Sequence, residues 1–174
     1  MKNLYSWSGA LGCLTFVIMG LLSPVSASAQ NIVPVSVSVE IVEPLTIEKT
    51  SDLSFGTIVI DSDGGTVSFD ADGNIQLTGG LSFLNSGSQP VQASFNISGR
   101  PGTGINIELP SEVILIHPDG HEMILDGITP NTDADPTLDA QGQIDFLLNG
   151  TLHVLQNQES GDYSGTFMVT VNYN

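Results

Sequence analysis

Tyr163-Ser164-Gly165-Thr166-Phe167-Met168-Val169-Thr170-Val171-Asn172-Tyr173-Asn174 is the stretch on which the fold turns. Tyr163, Phe167, Val169, Val171 and Tyr173 share one parity, with mostly small or polar residues between them. A repeat of two places such residues on one face of a half-buried strand. Asn174 is the last residue of the sequence. The expectation is that nothing folds over this strand afterwards, which leaves open what pairs with its neighbours.

The same alternation recurs upstream. Val33, Val35, Val37, Val39 and Ile41 alternate with Pro34, Ser36, Ser38 and Glu40, and after Pro44 comes Leu45-Thr46-Ile47. Leu53-Ser54-Phe55 and Ile58-Val59-Ile60 flank Gly56, which predicts a bulge or a close backbone approach. Short apolar runs follow at 66–69, 75–77 and 81–84, each introduced by Gly, Asp or Asn. Val91, Ala93, Phe95 and Ile97 form an inward set, and so do Ile105, Ile107 and Leu109. Val113-Ile114-Leu115-Ile116 is uninterrupted and predicts a strand covered on both sides; Pro118-Asp119-Gly120 then turns into Met123-Ile124-Leu125. Residues 127–142 hold Pro130, Pro136 and three aspartates without periodicity and read as a loop. Ile144–Leu148 and Leu152–Leu155 read as two further short strands. Beyond the N-terminal region, no window of roughly 11 residues keeps a helical period without Gly or Pro. Strands at this spacing predict an all-β sandwich or barrel.

Residues 1–29 read as a secretory signal: Lys2, an apolar run from about Ala10 to Leu22, and Ala27-Ser28-Ala29 before Gln30. The run is short for a bilayer span, which takes roughly 20 residues. Residues 30–174 then form one exported domain, with no transmembrane segment expected in the mature chain. Cys13, the only cysteine, leaves with the leader. The domain must hold by packing and backbone pairing, although export permits disulfides. In the mature chain Lys49 and Arg100 oppose 19 acidic residues, a net of −17. Such a surface repels phosphate backbones, so nucleic acid is not an expected partner.

Chemistry-bearing residues are sparse. His117 and His121 bracket the Pro118-Asp119-Gly120 turn beside Glu122, and His153 stands apart. A metal site needs three or four convergent ligands, so these read as polar residues near a hairpin tip, and no metal is expected. Asp61-Ser62-Asp63-Gly64 and Asp70-Ala71-Asp72-Gly73-Asn74 faintly suggest calcium loops. Counted from Asp70, the sixth and twelfth EF-hand positions are Ile75 and Leu81, where that motif takes glycine and glutamate. Asp133, Asp135 and Asp139 offer only an irregular alternative. There is no Gly-x-Ser-x-Gly elbow, no mature cysteine and no glycine-rich phosphate loop before a helix. No enzymatic activity and no cofactor are expected.

Pro44-Leu45-Thr46-Ile47, Leu53-Ser54-Phe55-Gly56-Thr57-Ile58, Gly150-Thr151-Leu152 and Gly161-Asp162-Tyr163-Ser164-Gly165-Thr166-Phe167 through Tyr173 together resemble a family of secreted bacterial proteins. It is a domain-of-unknown-function family, similar in layout to chaperone–usher pilins and to spore-coat protein U. Such pilins end on a strand with a penultimate tyrosine and a glycine fourteenth from the end; here these are Tyr173 and Gly161. The resemblance implies an immunoglobulin-like, pilin-like β-sandwich that lacks its last strand. Its groove would be lined by Gly161, Phe167, Val169, Val171 and Tyr173, with Gly161 leaving room at one end. The donor would be the N-terminal strand at 30–41, through Val33, Val35, Val37 and Val39.

The resemblance further implies a subunit of a pilus or surface fibre involved in cell adhesion. Its partners would be further copies or other pilin-like subunits, with a periplasmic chaperone and usher. Its location would be the periplasm, cell surface or an extracellular fibre. Two alternatives stay open. Val37, Val39 and Ile41 are equally able to belong to the first sandwich strand, which would make a self-complete secreted or coat-like domain. A glycan- or calcium-binding module is the other.

Overall fold

The computed structural model describes residues 30–61, 63–70 and 72–174. The expected leader at 1–29 lies outside them. The chain separates into two units, Met1–Val39 and Glu40–Asn174. In the first, residues 30–39 form no strand, and Val33, Val35, Val37 and Val39 are exposed, Val37 to 91%.

The second unit is all-β, with no helix among the described residues. Its strands are β1 (Thr46–Ser51), β2 (Ile58–Ile60), β3 (Gly65–Phe69), β4 (Ile75–Leu77), β5 (Leu81–Phe83), β6 (Ser94–Ser98), β7 (Ile105–Glu108), β8 (Glu112–Ile116), β9 (Glu122–Pro130), β10 (Gln143–Val154) and β11 (Thr170–Tyr173). All pairings are antiparallel.

β10 organises the main sheet. Its first half pairs with β6, which pairs with β1, and its second half pairs with β3, which pairs with β4. β9 lies along its other side and carries β8. The β9–β10 register slips between Asn149 and Thr151, beside Gly127 at φ +61°. That is the signature of a bulge, which bends and twists the sheet. β11–β7 and β2–β5 form two small sheets. One core draws on all three sheets: Phe55 and Leu81, Val67, Phe95, Ile97, Phe146, Leu148, Leu152, Ile105 and Ile107 are buried together. The result is a β-sandwich, as the alternating runs predict.

Four sequence expectations change. Ile144–Leu148 and Leu152–Leu155 are one strand, because Asn149-Gly150 does not turn. Gly150 lies under the side chain of Leu125, which a side chain of its own would crowd. β9 runs to Pro130, into the stretch read as a loop. From that stretch, Ala134 and Pro136 carbonyls accept the Ile107 and Ile105 amides, so the loop covers an edge of β7. β8 is not covered on both sides. Val113 is buried but Ile114 and Ile116 are exposed, since only one face of β8 meets the core. Residues 33–41 alternate without forming a strand; the first strand begins at Thr46. Alternation shapes one face, but a strand also needs a partner for its backbone.

Gly56 behaves as expected. Its φ is +73°, and the Ser88 carbonyl lies where a side chain would start. The Pro118-Asp119-Gly120 turn also closes as expected. The His117 amide donates to the His121 carbonyl at 2.8 Å, with Gly120 at φ +91°.

Candidate functional site

The site is defined by bonds the backbone does not make. β11 pairs with β7 only from Thr170 to Tyr173. Upstream, Ser164 forms a single bridge with Ile116. Between them, Gly165–Val169 enter no ladder and no bridge among the described residues. Among the described residues β1 pairs only with β6, which leaves its other edge open as well. Open strand edges are templates for further pairing.

The side chains agree with the backbone. Core-facing Phe146, Leu148, Leu152 and Val154 of β10 are buried, whereas Phe167, Val169, Val171 and Tyr173 are only half-buried. Ile47 and Leu53 opposite them are half-buried too. A hollow of about 290 Å³ lies between β1 and Gly165–Val169, lined by Ile47, Lys49, Ala93, Phe95, Phe167 and Val169. A second, of about 500 Å³, shares Leu53, Gly165 and Phe167 with it and reaches Phe55, Ile58 and Gly161. Together they make one groove of mixed polar and apolar lining, with Ala93, Phe95, Phe167 and Val169 among its apolar side chains, flanked by the open edge of β1 and the unpaired stretch.

Each expected groove residue has a definite place. Phe167 and Val169 line the groove. Val171 and Tyr173 lie beyond it in β11, opposite Ile107 and Ile105. Gly161 borders the larger hollow and also packs against His117. The place its side chain would take holds the His117 ring, and its φ of +148° belongs to glycine alone. Gly161 therefore makes room for His117. That histidine is buried, and its ring centroid lies 5.2 Å from that of Tyr163. Its Nδ1 accepts the Asp119 amide at 3.1 Å.

Tyr173 does something the sequence does not disclose. Its hydroxyl donates to the Glu43 carbonyl at 3.0 Å and accepts the Arg100 amide at 2.8 Å. Gly99 has no side chain that would obstruct that hydroxyl. Arg100 also pairs through its guanidinium with Glu40 at 2.8 Å. Lys49, the other lysine or arginine among residues 30–174, pairs with Asp52.

The remaining candidates serve local structure. His121 is exposed, and His153 Nε2 bonds Asp126 across β9 and β10 at 2.9 Å. Asp70 accepts the amides of Asp72 and Asn74 and the Asn74 side chain, closing its own turn. The Asn74 backbone bond, then the Asn74 side-chain bond, hold its carboxyl below the usual aspartate value. Asp61 accepts the Asp63 amide, Asp135 binds Asn106, and Asp139 accepts the amides of Gln141 and Gln143. Among the described residues no three His, Cys, Asp or Glu side chains gather as metal ligands. No helix among them is long and apolar enough to cross a membrane.

The groove floor and the Tyr173 cluster escape sequence reading. Ala93 carries one faint signal, as the smallest member of the inward set Val91, Ala93, Phe95 and Ile97. Arg100 and Glu43 carry none, because their partners lie far away in the chain.

Fold and groove define a class, the antiparallel β-sandwich with an open, edge-flanked cleft. Within it the chain belongs to the family described as Domain of unknown function (DUF4402), which matches residues 45–173. The match begins at β1 and leaves out the exposed valines. No curated protein matches the chain.

Proposed function

We propose that this domain is a structural subunit of an exported pilus or surface fibre, joined to its neighbours by strand addition. An extended apolar segment enters the groove, bonds to the edges of β1 and Gly165–Val169, and places alternate side chains over Ala93 and Phe95. The observation that carries this is the coincidence of an unpaired backbone stretch with a hollow beside it that is lined in part by the apolar side chains of Ile47, Ala93, Phe95, Phe167 and Val169. Backbone bonds supply affinity in strand addition, and alternate side chains supply specificity.

The donor is the leading segment of another copy or of a similar subunit. Val33, Val35, Val37 and Val39 have the required alternation and are exposed. Burying each contributes roughly 1.5–3 kcal/mol. A net backbone bond contributes about 1 kcal/mol, so apolar insertion dominates before ordering costs. A periplasmic chaperone and usher are the partners the pilin resemblance implies for an exported subunit before assembly.

The test is gel analysis of residues 30–174 without prior heating. Strand addition predicts a ladder that collapses on heating. It disappears when residues 30–41 are deleted, and weakens at least tenfold in Val35→Asp, which buries an unpaired charge. A protein that runs as a monomer with or without residues 30–41 is a self-complete domain, and the proposal is then wrong.

A further inference from the structure

An open groove and an apolar leading segment on one polypeptide raise a problem of choice. The segment could fold back into its own groove as easily as enter another. Self-insertion requires a reversal near Glu43-Pro44, so that the preceding residues run back beside β1 toward Lys49. Three contacts bind this stretch elsewhere. β1 begins with Thr46 opposite Ser98. Just past that end of the sheet, the Tyr173 hydroxyl holds the Glu43 carbonyl and the Arg100 amide. Arg100 reaches Glu40 through its guanidinium.

We infer that Tyr173, Arg100 and Glu40 form a strap that keeps residues 40–43 past the end of β1 and opposes self-insertion. The strap rests on the strand-addition reading, and its partner is a second copy of this chain. It selects that copy by disfavouring the alternative, with no contact to the copy itself. Its anchors come from places distant in the chain: β11, the loop after β6, and the residues before β1. Arg100 is one of only two cations among residues 30–174, and it is spent on an acid four residues short of Pro44. The Glu40–Arg100 pair is exposed, and such pairs contribute little alone. The Tyr173 hydroxyl bonds add to it. Loss of one ordinary hydrogen bond shifts an equilibrium by about fivefold.

The experiment uses residues 30–174 and three variants: Tyr173→Phe, Arg100→Glu, and Arg100→Glu combined with Glu40→Arg. Purified protein is assembled at fixed concentration and separated by size and on unheated gels. The expected result is a monomer-to-polymer ratio raised at least about fivefold in Tyr173→Phe, which loses both hydroxyl bonds, and by a smaller factor in Arg100→Glu, which loses the exposed pair and sets two acids together. The added monomers resist protease within residues 30–41, as self-inserted segments do. The exchanged pair returns the ratio toward wild type, which a general loss of stability would not do. Variants that assemble like wild type overturn the strap while leaving strand addition intact. The strap is equally overturned if extra monomers stay protease-sensitive, or if the exchange fails to restore assembly. A wild-type chain that never assembles overturns strand addition and the strap with it.

Discussion

Two residues show how little local sequence reveals about local roles. Gly161 reads in sequence as a groove residue that leaves room for a neighbour, and in the structure its bare backbone accommodates the His117 ring. Gly161→Ala is expected to destabilise the domain by about 1–3 kcal/mol through strain at positive φ and crowding. In denaturant titrations the penalty should shrink when His117→Ala is also present; an unchanged penalty would assign the whole effect to φ. Asp70 is the second case. Hydrogen bonds to its ionised form lower its carboxyl value in the folded state. Its contribution is therefore present above the ordinary aspartate value and is lost as pH falls through the depressed one. An NMR titration should place Asp70 below the ordinary aspartate value, and Asn74→Ala, which removes the side-chain bond but keeps the backbone one, should raise it only part of the way. The glycine was legible as a motif and the aspartate as a turn former, but the partner of each was not. His117 is 44 residues from Gly161 in the sequence, and no periodicity connects them.

At the scale of elements, most strands follow from alternation because one face of each meets a common core. β6 and β7 appear as Ala93–Ile97 and Ile105–Ile107 foretell. Failures occur where a partner, not the strand itself, decides. The unbroken apolar run of β8 lies on one face of the fold, so Ile114 and Ile116 look outward. The terminal run has full alternation from Tyr163, but only Thr170–Tyr173 find a ladder. The groove was legible in half: Phe167 and Val169 were visible in sequence, whereas Ile47, Leu53, Ala93 and Phe95 became groove residues only through pairing. Amides in Gly165–Val169 should therefore exchange rapidly in a chain lacking residues 30–41. A synthetic peptide of residues 30–41 should slow them, while its Val35→Asp version should not. Hydrogen exchange read by mass spectrometry makes the comparison, and equal exchange in all three samples would count against the groove as the docking place.

For the whole molecule, charge would set the terms of the proposed association. Each copy of residues 30–174 brings a net of −17, with both cations already paired to acids. Two such bodies repel, and about 0.1 M salt reduces the reach of that repulsion to roughly 10 Å. Assembly should accelerate several-fold between about 0.01 and 0.2 M sodium chloride, as followed by light scattering. A rate that falls with salt would point to an attractive charge contact that these residues do not provide. The domain also has no disulfide to limit its unfolded state, so packing and pairing set its stability.

The contact between Tyr173 and Glu43 has a mechanical meaning as well. It joins the root of the leading segment to the strand at the far end of the sequence, 130 positions away. A pull applied at Glu40 reaches β1 along the chain and reaches β11 through the tyrosine hydroxyl. Tension is thus divided between the main sheet and the small β11–β7 sheet, so neither has to peel apart alone.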